Sequence, residues 1–199
     1  MNTGFAGSLA LGGAIANMGG DRAGVIMREL ADEKRVGELV EGLVSDCGAL
    51  MGGSGEGWVI VGIKSRGDVL AGRLAERLDH QGVGSVDIAM YRDDLSAKGP
   101  QPVVRPSDLR CGIDDVNVLL VDDVLMTGRS VRAAMGVLMD YGRPRCIRLA
   151  VLVDRGGREL PIKADAVGLV VDDAGADEVV EVRLKPHDGE DGVVGFPRG

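Results

Sequence analysis

The run "NVLLVDDVLMTGRSVRAAM", residues 117–135, sets the tightest limit on how this chain can fold. Val118, Leu119, Leu120 and Val121 form a short continuous apolar run, the pattern of a strand covered on both faces. Two carboxylates, Asp122 and Asp123, follow at once. After them come a turn with hydroxyls and glycine, Thr127 to Ser130, and a helix with Val131, Ala134, Met135 and Leu138 on one face. A strand that ends in charge and turns directly into a helix is the repeating unit of an α/β sheet. The spacing predicts a strand over 118–121 and a helix over 130–141, stopped by Gly142 and Pro144.

The same order recurs along the chain. "WVIVGI" (58–63) is a second apolar run, followed by "KSRG" (64–67) and a helix over 69–78 with Leu70, Leu74 and Leu78 on one face. "SVDIAMY" alternates Val86, Ile88 and Met90, which predicts another strand. "CIRLAVLV" (146–153) predicts a further strand, stopped at Asp154-Arg155-Gly156. Ahead of them all, Val36, Leu39, Val40, Leu43 and Val44 recur at helical spacing, with Asp32 as N-cap and Gly48 as stop. Residues 92–115 carry three prolines and no period, as expected of a functional flap. The whole reads as an α/β fold, a mostly parallel twisted sheet flanked by helices.

A chain of 199 residues suits one such core, placed here at residues 31–185. Residues 1–30 have no charged side chain before Asp21 and read as a disordered extension, or as an early start before Met18 or Met27. Residues 186–199 read as a flexible tail. A net charge of −8 argues against a surface that coats nucleic acid generally, so any polyanion must be met locally. Cys47, Cys111 and Cys146 are odd in number and lack CxxC spacing, which predicts free thiols, buried or half-buried, and no zinc site. His80 and His187 are the only histidines and support no Ser-His-Asp arrangement. No stretch nears the roughly 18 apolar residues of a membrane span, and we expect a soluble, cytoplasmic protein.

Each strand ends in polar residues: Lys64-Ser65-Arg66-Gly67, Arg92-Asp93-Asp94, Asp122-Asp123 and Asp154-Arg155-Gly156. Ligands of open α/β sheets bind outside the carboxyl ends of strands, so these tips should converge on one crevice. At the Asp122-Asp123 tip, Thr127, Gly128, Arg129 and Ser130 sit where a turn meets a helix N-terminus, a natural phosphate cradle. A sugar bearing that phosphate offers vicinal hydroxyls that Asp122 and Asp123 can accept. No GxxxxGK[ST] or GxGxxG fingerprint competes with this reading.

"VLLVDDVLMTGRS" resembles the phosphoribosylpyrophosphate (PRPP) motif of type I phosphoribosyltransferases. Together with "VGIKSRG", "DIAMYRDDLS" and "AVLVDRGGRELPIKAD", it resembles the PyrR family of bifunctional pyrimidine-operon regulators and uracil phosphoribosyltransferases. The resemblance spans residues 58–183 and implies the type I phosphoribosyltransferase fold. It implies that Lys64, Ser65, Arg66 and Gly67 form the pyrophosphate loop, whose backbone often carries a cis peptide, and that Arg92 contacts pyrophosphate. Asp122, Asp123, Val124, Leu125, Met126, Thr127, Gly128, Arg129 and Ser130 would hold the ribose and 5′-phosphate, with Met126 replacing a common tyrosine. Val153, Asp154, Arg155 and Val179 would border the base. The catalytic set implied is Asp122, Asp123 and Arg92, and Arg158 and Lys163 would face leader RNA. Implied partners are PRPP, uracil, UMP or UTP and pyrimidine leader RNA. Mg²⁺ would be held mainly by substrate oxygens, with Asp122 or Asp123 as protein ligand, and the assembly would be a homodimer or larger. Two alternatives stay open: a nucleotide-sensing RNA-binding regulator with residual catalysis, and a phosphoribosyltransferase for a purine base. Family members often place a hydroxyl residue and histidines where this chain has Glu41, Ser45 and Gly157, which weakens the RNA expectation.

Overall fold

The computed structural model describes residues 27–89, 107–175 and 177–198. Its elements run β1 (Arg28–Ala31), α1 (Glu33–Leu50), β2 (Trp58–Ile63), α2 (Gly67–Arg77), β3 (Val83–Val86), β4 (Asn117–Leu125), α3 (Arg129–Tyr141), β5 (Cys146–Asp154), β6 (Ala166–Val170), β7 (Glu178–Arg183) and β8 (Gly192–Pro197). Five strands form a parallel sheet in the order β3-β2-β4-β5-β6. The other three form a small antiparallel sheet, β1-β8-β7.

The central strands follow the continuous apolar pattern because both faces are covered. Leu119 and Val121 of β4 pack with α1, α2 and the small sheet, in a core that includes Val36, Leu43, Leu74, Val182 and Val193. Val118 and Leu120 point the other way, to Val131, Ala134 and Leu138 of α3. The first helix begins as expected, with the Asp32 side chain accepting the Arg35 N–H at 2.7 Å. It continues past the expected stop at Gly48 to Leu50. A Cβ at Gly48 would lie 3.3 Å from the Leu78 side chain, so this glycine brings two helices close and leaves the helix intact.

Three further boundaries differ from expectation. β4 runs on to Leu125, so the two carboxylates stand within the strand. β3 is shorter than the alternation suggested and ends at Val86. Beyond it, Ser85 and Asp108 exchange backbone hydrogen bonds and the Asp87 N–H is donated to Ser107 Oγ at 3.1 Å, which ties together the two roots of the expected flap. The bulk of that flap, with Arg92, lies outside the described residues, as do Met90 of the expected strand and residues 1–26 of the expected N-terminal extension. The tail is corrected outright: residues 192–197 form β8, the central strand of the small sheet, and β1 pairs on it from Arg28, inside the region assigned to the extension. The thiols are unpaired, with Cys47 buried and Cys146 half-buried as expected but Cys111 exposed. No helix among the described residues is long and apolar enough to cross a membrane.

Candidate active site

The parallel sheet reverses its strand order between β2 and β4, and their carboxyl ends flank the crevice that such a reversal opens. The loop after β2, Lys64 to Gly67, carries a cis peptide between Lys64 and Ser65, and Arg66 at φ 68° is the N-cap of α2. Gly67 is buried against β4: a Cβ there would come within 2.7 Å of Val121 O and 3.2 Å of Asp122 Cα. Only glycine lets the loop lie this close to the carboxylate strand.

Asp122 is 5% exposed, and Asp123 is half-buried beside it. The Asp123 N–H is donated to Asp122 Oδ1 at 3.0 Å, and the Val124 N–H to Asp123 Oδ1 at 2.9 Å. Burial holds the Asp122 carboxyl well above the ordinary carboxylate range, and the neighbouring Asp123 charge adds to it. Burial raises Asp123 as well, opposed by its hydrogen bonds with Asp122 and Val124 and by the nearby Arg66 charge. In both residues burial acts against ionisation.

At the end of β4 the chain turns through Met126 and Thr127 to Gly128, which sits at φ 89° and caps α3. Thr127 Oγ1 accepts the Arg129 N–H at 3.2 Å, while Thr127 O accepts from Glu159 and Leu160. Gly128 has no side chain to cap the helix and no acidic residue stands in its first turn, which leaves a helix N-terminus suited to an anion. Exposed Arg129 is paired with Glu159 at 2.7 Å, beside the cradle. The 64–67 loop, the carboxylate pair and the 127–128 turn thus lie together at the ends of β2 and β4.

Other expected site residues have different surroundings. Arg155, only 6% exposed, donates to Gly175 O at 2.7 Å and to Glu178 O, tying the end of β5 to the start of β7. Val179 pairs with Phe196 in the small sheet, and Val153 is fully buried in β5. Arg158, expected at an RNA surface, turns inward: it donates to the carbonyls of Ile162 and Met126 and pairs with Asp154 at 2.5 Å. Five N–H donors in a rigid fork suit this gathering of carbonyls, and they leave Lys163 as the exposed cation of the two. The sequence reading missed Asp188 altogether. Its carboxylate grips Arg66 bidentately, Oδ2 to Nε at 2.9 Å and Oδ1 to Nη2 at 3.0 Å. No local pattern marks a partnership across 122 positions.

Comparison with known proteins matches this geometry to a class. The model of the phosphoribosyl transferase domain family matches residues 27–184, and the chain is a phosphoribosyltransferase with the type I fold. A hypoxanthine-guanine phosphoribosyltransferase from Bacillus anthracis superposes with a TM-score of 0.64 at 16% identity, over 84% of this chain and 96% of that one. Within the class, the chain belongs to the PyrR family. It is 51% identical over 144 residues to the bifunctional protein PyrR of Akkermansia muciniphila, covering 70% of this chain and 80% of that one. To the bifunctional protein PyrR of Mycolicibacterium paratuberculosis it is 46% identical over 187 residues, covering 92% of this chain and 98% of that protein.

Proposed function

We propose that the chain transfers the 5-phosphoribosyl group of PRPP to uracil, giving UMP and pyrophosphate. The observation that carries this is the burial of Gly67 against Asp122, which packs an anion loop onto a paired carboxylate beside an open helix N-terminus. These three parts match the pyrophosphate, ribose hydroxyls and 5′-phosphate of one substrate. Uracil as the base is supported by the relatives named PyrR and by the segment from Val153 to Asp165; the purine phosphoribosyltransferases among solved structures share the fold at too low an identity to favour a purine.

In the transfer the bond from ribose C1 to the pyrophosphate oxygen breaks, the bond from C1 to uracil N1 forms, and the N1 proton passes to the leaving pyrophosphate or to solvent. Negative charge gathers on the leaving group, where Arg66 and the loop backbone are suited to receive it; Arg92 is proposed for the same task on resemblance. Among the described residues no group of three or more His, Cys, Asp or Glu side chains could hold a metal. The carboxylate oxygens of Asp122 and Asp123 are hard donors of the kind Mg²⁺ takes, which supports an ion carried mainly on pyrophosphate and ribose oxygens with one of the two as its protein contact. The ion, when bound, would neutralise developing charge on the leaving group. The relatives' description as bifunctional supports a second role, which we propose is sensing UMP or UTP and binding pyrimidine leader RNA.

A panel of bases with PRPP and Mg²⁺ tests the assignment. UMP formation from uracil is expected, with Asp123→Asn lowering turnover by about 100-fold while the fold survives. Turnover of hypoxanthine or xanthine in place of uracil would overturn the base assignment, and full activity in Asp123→Asn would overturn the ribose site.

A further inference from the structure

Two of the carboxylates in the turn between β7 and β8, Asp188 and Asp191, have matched settings. Asp188 grips Arg66 through Nε and Nη2 and accepts the Leu184 N–H at 2.8 Å. Asp191 grips Arg73 through Nη1 and Nη2 at 2.5 and 2.9 Å and accepts the Lys185 N–H at 2.8 Å. Both arginines belong to α2 or its cap, but only Arg66 lies in the loop beside the carboxylate pair. We propose that Asp188 is a positioning residue for the leaving pyrophosphate, holding one edge of Arg66 so that the other edge faces the phosphate oxygens. This rests on the chain acting on PRPP.

A guanidinium has two edges that can each bind an oxyanion in a fork, and Asp188 occupies the one formed by Nε and Nη2. Nη1 has no hydrogen-bond partner among the described residues and points from the opposite edge. The nearby charges acting on Arg66 are Asp188, Asp123 and Glu181. Without Asp188, the attraction of Asp123 would draw the cation toward the ribose acids and off the pyrophosphate position. Breaking a partly exposed ion pair by itself changes the stability of the fold little. Loss of alignment is therefore the larger effect. The Leu184 N–H fixes Asp188 in turn, so the β7–β8 turn passes its rigidity to the anion loop.

The test compares Asp188→Asn with Asp191→Asn in the full chain, measuring inorganic pyrophosphate binding with Mg²⁺, KM for PRPP and uracil, and Tm. Asp188→Asn keeps the acceptor for Leu184 but loses the ion pair. We expect pyrophosphate affinity to fall and KM for PRPP to rise by about tenfold, with KM for uracil changed by less than about twofold. Asp188→Glu should recover part of the loss. Asp191→Asn should lower Tm while leaving pyrophosphate affinity intact. Unchanged pyrophosphate binding in Asp188→Asn, or equal weakening in both variants, would overturn the proposal. Pyrophosphate binding without transfer to any base would overturn the functional reading alone, and a wild-type chain that binds no pyrophosphate would overturn both.

Discussion

At the scale of single residues, the Asp122–Asp123 pair sets stability against function. A carboxyl with a higher pKa in the folded than in the unfolded chain favours folding while protonated, and loses that contribution as pH rises through the raised value. Asp122→Asn keeps the acceptor for the Asp123 N–H and cannot ionise. Its Tm without ligand should exceed wild type by a few degrees near neutrality, with the gain vanishing as pH falls toward the ordinary carboxylate value of 3.8. Thermal melts of both proteins across that range check the sign, and a gain that grows on acidification would refute it. PRPP-dependent turnover should fall in the same variant. The pair was legible in the sequence because two acids after an apolar run, before a glycine turn, is a local pattern. Asp188 was not legible, because its partner Arg66 stands 122 positions away, and the inward turn of Arg158 was not, because it depends partly on the Met126 carbonyl 32 positions away.

At the scale of elements, the parallel strands could be read because burial on both faces makes them continuous apolar runs, as in "WVIVGI" and "CIRLAVLV". The small sheet hides its signal. β8, "GVVGFP", is interrupted by glycine and closed by proline, and β7, "EVVEVR", is short and charged, so each resembles a loop until the other covers it. β8 nevertheless pairs on both sides, with Val193 fully buried and Phe196 at 8% exposure. Phe196→Ala should cost about 3–5 kcal/mol in urea unfolding, as for a buried aromatic truncated in a packed core. A chain ending at Asp191 should lose the small sheet and much of its stability. If both variants unfold as wild type does, the C-terminal strand contributes nothing and the flexible-tail reading returns.

At the scale of the whole molecule, charge decides how strongly this phosphoribosyltransferase can meet RNA. The chain carries −8 overall, and the cations of its first helix are already paired: Arg35 with Glu38 at 2.9 Å, and Lys34 more loosely with the same carboxylate at 4.0 Å. Across from them, Arg77 holds Glu41 at 2.6 Å and Lys185 holds Glu33 at 2.7 Å. Arg158 spends its donors on backbone carbonyls and Asp154, so of the two residues expected to face RNA only Lys163 stays exposed. RNA affinity from phosphate contacts falls steeply with salt, with a slope set by the number of phosphates neutralised. With the cations of the first helix paired and Arg158 turned inward, this surface offers phosphates few contacts among the described residues, which predicts a shallow slope and little affinity at physiological ionic strength. A gel-shift titration with a pyrimidine leader hairpin and UMP should therefore give weak binding at about 0.15 M salt that lowering the salt strengthens only modestly, while uracil transfer persists. The informative variant is Lys163→Ala, because Arg158→Ala would unmake the loop that Arg158 gathers and would report on folding. Tight binding that UMP enhances and Lys163→Ala removes would sink this expectation and make RNA regulation a full second activity of the chain.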